Sequence, residues 1–199
     1  MVIVGLGNPG AEYAGTRHNL GEACVRELAR RMGVEVTRKR WRSLVGSADI
    51  SFEGFAGRAW LALPQTFMNL SGAAVAAALR DTGAGPESLW VVHDELDLPL
   101  CRLRIRLGGS SAGNNGVKSI IGALGTDAFW RFRVGVGKPP SPRRGVDHVL
   151  GRWSKTEARL VAPVVAGVAD ALEEALRSGI VRARDLYNRD GALGCEELP

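Results

Sequence analysis

The sequence predicts an α/β fold: one domain over residues 1–199, built on a mixed, twisted sheet with a parallel core and flanked by helices. Three observations predict it. Short apolar runs at residues 2–5, 60–63, 89–92 and 134–136 have the length and β-branched character of strands buried on both faces. Segments of helical periodicity are interleaved with these runs, the order that builds a parallel sheet. A chain of 199 residues with 45% hydrophobic content fills a single core well and leaves little for a second.

Residues 20–32 place Leu20, Cys24, Val25, Leu28 and Met32 on one helical face and Arg26, Glu27, Arg30 and Arg31 on the other, with Gly33 as the stop. Asn69 precedes a second helix rich in small residues, which should pack close to its neighbour until Gly83 ends it. Residues 102–107 alternate strictly, so Arg102, Arg104 and Arg106 share one strand face and Leu103, Ile105 and Leu107 the other. A shorter helix is expected over 117–124, and a long one over 155–177 with Pro163 near its first turns. The glycine- and serine-rich stretch 108–113 and the proline-rich stretch 138–145 read as mobile connections, the latter a candidate lid.

Lysine and arginine number 26 against 21 acids, a formal charge of +5, which makes nucleic acid a reasonable partner without requiring one. Three widely spaced cysteines, Cys24, Cys101 and Cys195, lack metal-ligand spacing and fit a reduced, cytoplasmic, metal-free protein. Met1 leads directly into a strand, so no secretory leader or membrane span is expected.

Gly5-Leu6-Gly7-Asn8-Pro9-Gly10 follows a strand and matches the glycine pattern of dinucleotide-binding turns. Its surroundings do not match. Helical periodicity begins only at Leu20, too late to support a pyrophosphate, and no acidic residue ends a second strand where a ribose would need one. A nucleotide cofactor is therefore not expected. The same glycines instead let the backbone turn so that Asn8 and His18 face a cleft at the strand's carboxyl end.

Other strand ends also finish in polar residues: Gln65 to Asn69, His93-Asp94-Glu95 with Asp97, and Asn114-Asn115. In an open α/β sheet such ends converge on one crevice, which brings together His18, Asp94 and the amides of Asn8, Asn69 and Asn115. Taken singly, Asn69 could be a helix cap, Asn8 and Asn115 turn formers, and Asp94 with Glu95 and Asp97 a solvated loop or a magnesium site. Their joint placement points to hydrolysis by activated water, since no nucleophile accompanies the set.

Five ordered motifs resemble the bacterial-type peptidyl-tRNA hydrolase family over nearly the whole chain. They are Gly5 to Gly10 with Tyr13 and Thr16-Arg17-His18-Asn19; Phe67-Met68-Asn69-Leu70-Ser71-Gly72; His93-Asp94-Glu95-Leu96-Asp97-Leu98-Pro99; Asn115-Gly116; and Arg131-Phe132-Arg133-Val134-Gly135-Val136-Gly137. The resemblance implies that His18 is the general base, Asp94 its partner, and Asn8, Asn69 and Asn115 the holders of peptide, water or oxyanion. It also implies that Tyr13 and Met68 touch the tRNA end or the peptide, that Arg104, Arg106 and Arg133 clamp tRNA phosphate, and that a monomer needs no cofactor. The substrate would be peptidyl-tRNA. Two departures stand out: Ser110, Ser111 and Ala112 interrupt the glycine-rich run, and Asn114 replaces the family's usual histidine. The family also includes non-catalytic RNA-binding relatives, the alternative to an enzyme.

Overall fold

The computed structural model describes residues 1–52, 55–139, 141 and 145–195. Among them, seven strands form one sheet: β1 (Val2–Gly5), β2 (Arg38–Arg40), β3 (Ser43–Phe52), β4 (Phe55–Pro64), β5 (Leu89–Glu95), β6 (Leu103–Leu107) and β7 (Trp130–Gly135). Their order is β2-β3-β4-β1-β5-β7-β6. The inner four, β4, β1, β5 and β7, run parallel. The flanking pairs are antiparallel, so the expected mixed sheet with a parallel core is present.

Six α-helices flank the sheet among the described residues: α1 (Leu20–Arg31), α2 (Ser71–Thr82), α3 (Asn115–Leu124), α4 (Gly145–Leu150), α5 (Lys155–Ser178) and α6 (Ile180–Tyr187). Ile3, Val92 and Phe132 pack with Leu28 of α1 and Leu172 of α5 on one face of the sheet. Val2, Val4 and Val91 pack with Val75 of α2 and Ile120 of α3 on the other. The chain leaves β1 for β4 along one face and returns from β4 to β5 along the opposite face. This makes β1 the strand where the winding reverses, and an open sheet presents its crevice beyond the carboxyl ends at such a point.

Several expectations need correction. The apolar run 60–63 is only part of the ten-residue β4, which pairs along its length with β3. Gly46, Ser47 and Asp49 give β3 little strand propensity of its own, so pairing rather than local preference makes it a strand. Asn69 lies inside the 3₁₀ turn Met68–Leu70 rather than capping α2. Helix α3 begins at Asn115, because the Asn114 side chain caps it. The start of α5 carries a capping box, with Ser154 accepting from the Glu157 amide, and Pro163 lies inside the helix. Leu107, expected to face inward, is 51% exposed at the end of the edge strand. Of the proposed lid 138–145, residues 140 and 142–144 lie outside the described residues, and α4 begins at its last position. Cys101 and Cys195 form a disulfide, contrary to the expectation of three reduced thiols; the tail after α6 folds back onto β6, a proximity that a separation of 94 residues conceals. Cys24 stays free and buried, and burial pushes its thiol well above its ordinary value. No helix among the described residues is long and apolar enough to cross a membrane.

Gly5 of the first motif and Gly21 of α1 serve backbone contact. A Cβ at Gly21 would lie 2.2 Å from the Val92 carbonyl oxygen, and one at Gly5 would lie 2.6 Å from the Gly21 carbonyl oxygen. Helix α1 therefore sits directly on β1 and β5. Gly21→Ala should destabilise the fold by about 1–3 kcal/mol or more through overpacking against backbone that cannot yield. Urea unfolding at unchanged m-value measures this, and a midpoint equal to that of the parent chain would contradict the close approach.

Candidate active site

The 3₁₀ turn Arg17–Asn19 leads into α1 and carries His18 to the carboxyl end of β5. His18 Nδ1 lies 2.9 Å from Asp94 Oδ2 and 3.0 Å from Oδ1. Strand alternation decides which polar residue of β5 can make this contact. Asp94 follows Val92 on the face packed against α1, whereas His93 points to the other face and donates from Nδ1 to the Asp94 carbonyl. A carboxylate can only accept, so His18 carries its proton on Nδ1 and presents Nε2 as the basic nitrogen. Both partners are buried, at 8% and 3% exposure.

Asn114 secures the other side of the carboxylate. Its Nδ2 donates to Asp94 Oδ1 over 2.8 Å, while its Oδ1 accepts from the backbone amides of Gly116 and Val117. One amide thus caps α3 and orients Asp94. The sequence marked Asn114 as one of the polar residues following the glycine linker and as a departure from a motif; its capping role was hidden because the helix was expected to start at residue 117 rather than at Asn115.

A cleft of about 480 Å³ opens over this pair. His18, Asp94, Asn8, Asn69, Asn114 and Asn115 supply its polar groups, and Phe67, Met68, Val146, Val149 and Leu150 supply apolar wall. Asn19 fixes the Asn8 backbone at both ends, accepting from its N–H and donating to its carbonyl. Asn8 Oδ1 accepts from the Met68 amide over 2.8 Å, so its Nδ2 hydrogens remain as donors. Asn69 and Asn115 expose their side chains at the mouth. The five residues expected to converge therefore do.

Met68 also lines the cleft, whereas the other expected residues are not among its lining. Tyr13 stands behind the wall, edge-on to Phe67 at 6.3 Å. Arg104, Arg106 and Arg133 line a separate groove at the β6 edge, joined there by Arg184 and Asn188, neither of which was expected from the sequence. Arg104 is opposite Arg133 across the strand pair. Its Nη1 donates to the Asn188 carbonyl, and Arg133 Nε donates to Glu95 over 2.8 Å. Glu95 itself borders the cleft of His18 and Asp94, so the two grooves meet at this ion pair. The acidic trio read as a possible magnesium site is dispersed: Asp94 bonds His18 and Asn114, Glu95 bonds Arg133, and Asp97 lies near Lys138. No cluster of three metal-ligating side chains occurs among the described residues.

Comparison with known proteins places this geometry in context. Residues 2–193 match the family described as peptidyl-tRNA hydrolase. The peptidyl-tRNA hydrolase of Dehalococcoides mccartyi strain BAV1 is 43% identical over 190 residues, covering 94% of this chain and 98% of that protein. That of Chloroflexus aurantiacus is 44% identical over 188 residues, with the same coverage of 94% and 98%. A crystal structure of peptidyl-tRNA hydrolase from Acinetobacter baumannii superposes with a TM-score of 0.85 at 34% identity, covering 94% of this chain and 93% of that one.

His93 is expected to make the stability of the fold depend on acid. Burial is the largest influence on it and holds it below the ordinary histidine value, against the pull of the Asp94 and Glu95 carboxylates. The unfolded chain therefore takes up this proton first as pH falls through about 6.5, and stability present above that point declines below it. The contribution is at most about 1.4 kcal/mol per pH unit for one proton. His93→Gln should flatten the fall in urea midpoint between about pH 7 and 5; identical slopes in the two proteins would remove His93 as its source.

Proposed function

The chain belongs to the peptidyl-tRNA hydrolase family, and from that premise we propose that it cleaves the ester between a peptide, or an N-blocked aminoacyl group, and the 3′ ribose of tRNA. The observation that carries the proposal is the buried His18–Asp94 pair beneath the amides of Asn8, Asn69 and Asn115. His18 Nε2 takes a proton from water as its oxygen bonds the ester carbonyl carbon. Asp94 holds the Nδ1–H tautomer and stabilises the imidazolium. Amide N–H groups of the three asparagines donate to the developing oxyanion. Collapse breaks the carbon–ribose oxygen bond, and the imidazolium returns its proton to that oxygen. The products are a free peptide acid and tRNA with a free hydroxyl.

The apolar wall next to these amides supports selection of N-acylated substrate. A neutral peptide bond can exchange hydrogen bonds there, whereas a charged amine would lose its water. The arginine groove supports a tRNA-phosphate contact by Arg104, Arg106 and Arg133, and the Tyr13–Phe67 contact with Met68 supports a grip on the tRNA end or peptide. The same reading takes the enzyme to act as a monomer without a cofactor; its cytoplasmic location no longer has support from reduced cysteines, since Cys101 and Cys195 are joined.

The test is turnover of a purified N-acetyl-aminoacyl-tRNA. His18→Ala should lose about 10²–10⁴ in kcat, on the order of 3–5 kcal/mol, while still binding tRNA. Asp94→Asn should lose a similar or smaller factor, and the double variant should be little worse than His18→Ala, because residues acting as one unit are not additive. Near-normal turnover by His18→Ala would sink the mechanism. Activity should survive chelation, and loss with EDTA restored by zinc or magnesium would count against the metal-free route. Replacing Arg104, Arg106 and Arg133 together with alanine should raise KM and lower the salt slope of tRNA binding by roughly one unit per lost contact. An unchanged slope would refute the clamp.

A further inference from the structure

We propose that Arg17 is a positioning residue: its guanidinium locks the turn bearing His18 to the α4 wall of the cleft, so that base and wall are set together. The inference rests on His18 acting as the base. Arg17 is 7% exposed. Its Nη1 donates to the carbonyls of Arg152 at 2.9 Å and His148 at 3.3 Å, and its Nη2 donates to both Glu157 carboxylate oxygens at 2.9 and 2.7 Å. The guanidinium carbon lies 4.8 Å from the Trp153 ring centroid. The Arg17 amide adds a bond to the Gly151 carbonyl, and Thr16 bridges to Arg152.

Every one of these partners lies between residues 148 and 157, from the last turn of α4 through the connection to the first turn of α5. The approach is close: a Cβ at Gly151 would meet Arg17 Nη1 at 3.4 Å and the Asp147 carbonyl at 3.0 Å. Glu157 closes the circuit, since its carboxylate also accepts from the Ser154 amide in the cap of α5. Burial opposes its ionisation, but the hydrogen bonds from Arg17 and Ser154 outweigh this and hold the carboxyl below its ordinary range.

Helix α4 spans only six residues, too few to be stable alone, yet it supplies Val146, Val149 and Leu150 to the cleft. Besides Arg17, His148 Nε2 meets the Val136 carbonyl at 3.3 Å. One peptide bond separates Arg17 from His18, so slack in the guanidinium is passed to the imidazole. A displacement near 1 Å can cost on the order of 10²-fold in rate. Lysine preserves the charge but has no planar fork to reach carboxylate and carbonyls at once.

Arg17→Lys should lower kcat about tenfold or more, with the Kd for deacylated tRNA within about twofold of the parent. The same substitution in His18→Ala should cost nothing further, as expected of a residue that works through His18. Glu157→Gln loosens the latch from its far side, leaves the His18 turn untouched, and should show the same non-additivity; it carries the test if Arg17→Lys does not fold. Loss of only folded population, with kcat per folded molecule unchanged, would overturn the proposal. So would equal losses in the presence and absence of His18. If His18→Ala itself turned over normally, the base reading would fall and the latch with it, whereas additive losses beside an inactive His18→Ala would overturn the latch alone.

Discussion

The site depends on how closely α1 lies against the ends of β1 and β5. Gly21 rests against the Val92 carbonyl and Gly5 against Gly21, so the helix axis cannot move outward without opening the core or inward at all. The connecting loop is bonded into the same place: the Leu6 amide donates to Val92 and the Glu22 amide to Leu6. With the first turn of α1 thus fixed at Gly21 and Glu22, the turn before it is fixed as well. It lies over the end of β5, where the residue two beyond Val92 on the same face is Asp94. A glycine pattern that mimics nucleotide binding is here the steric condition for a histidine to meet a carboxylate.

That meeting is costly, because an ionised carboxylate at 3% exposure has lost most of its water. It is tolerable because each oxygen is provided with a donor. His18 serves both, and the Asn114 amide adds a second bond to Oδ1. Asn114 differs in kind from an imidazole at this position. Its amide does not titrate, so it orients Asp94 without placing a second titratable ring beside His18. Because the same side chain caps α3, whose first residue is Asn115, the carboxylate and one of the expected oxyanion donors share an anchor.

The sequence made the parallel core legible because β1 and β5 are near-continuous apolar runs, buried on both faces. It also made His18, Asp94 and the three asparagines legible, because they stand where such runs end. Other parts had no local signal. Strand β3 contains poor strand formers and exists through its pairing with β4, while α4 and α6 are short helices held by contacts from distant segments. The tail's return to β6, through Asn188 on both backbone groups of Ile105, rests on a separation that no periodicity reports. Arg17 was visible only as part of a motif. That it would be buried follows from Glu157 and Trp153, some 140 residues on in the chain.

The two grooves meet at Glu95 and Arg133, and the atoms used there bear on whether the arginines can do what is proposed for them. An arginine already paired to a carboxylate would be a poor phosphate ligand if the pair consumed its fork. Here Glu95 takes the Nε hydrogen, which leaves the outward Nη pair as donors. Arg104 is likewise engaged through one Nη, with its other nitrogens not committed by that bond. Tethering by one nitrogen removes side-chain freedom before any ligand arrives, so a phosphate meets a fork already oriented. A lysine could not divide itself in this way, since its donors share one nitrogen. The composition of the groove follows from that geometry, as does its link to the chemistry. Glu95 is the residue after Asp94, and so the strand that carries the carboxylate to His18 also anchors Arg133 in the groove proposed for tRNA phosphate.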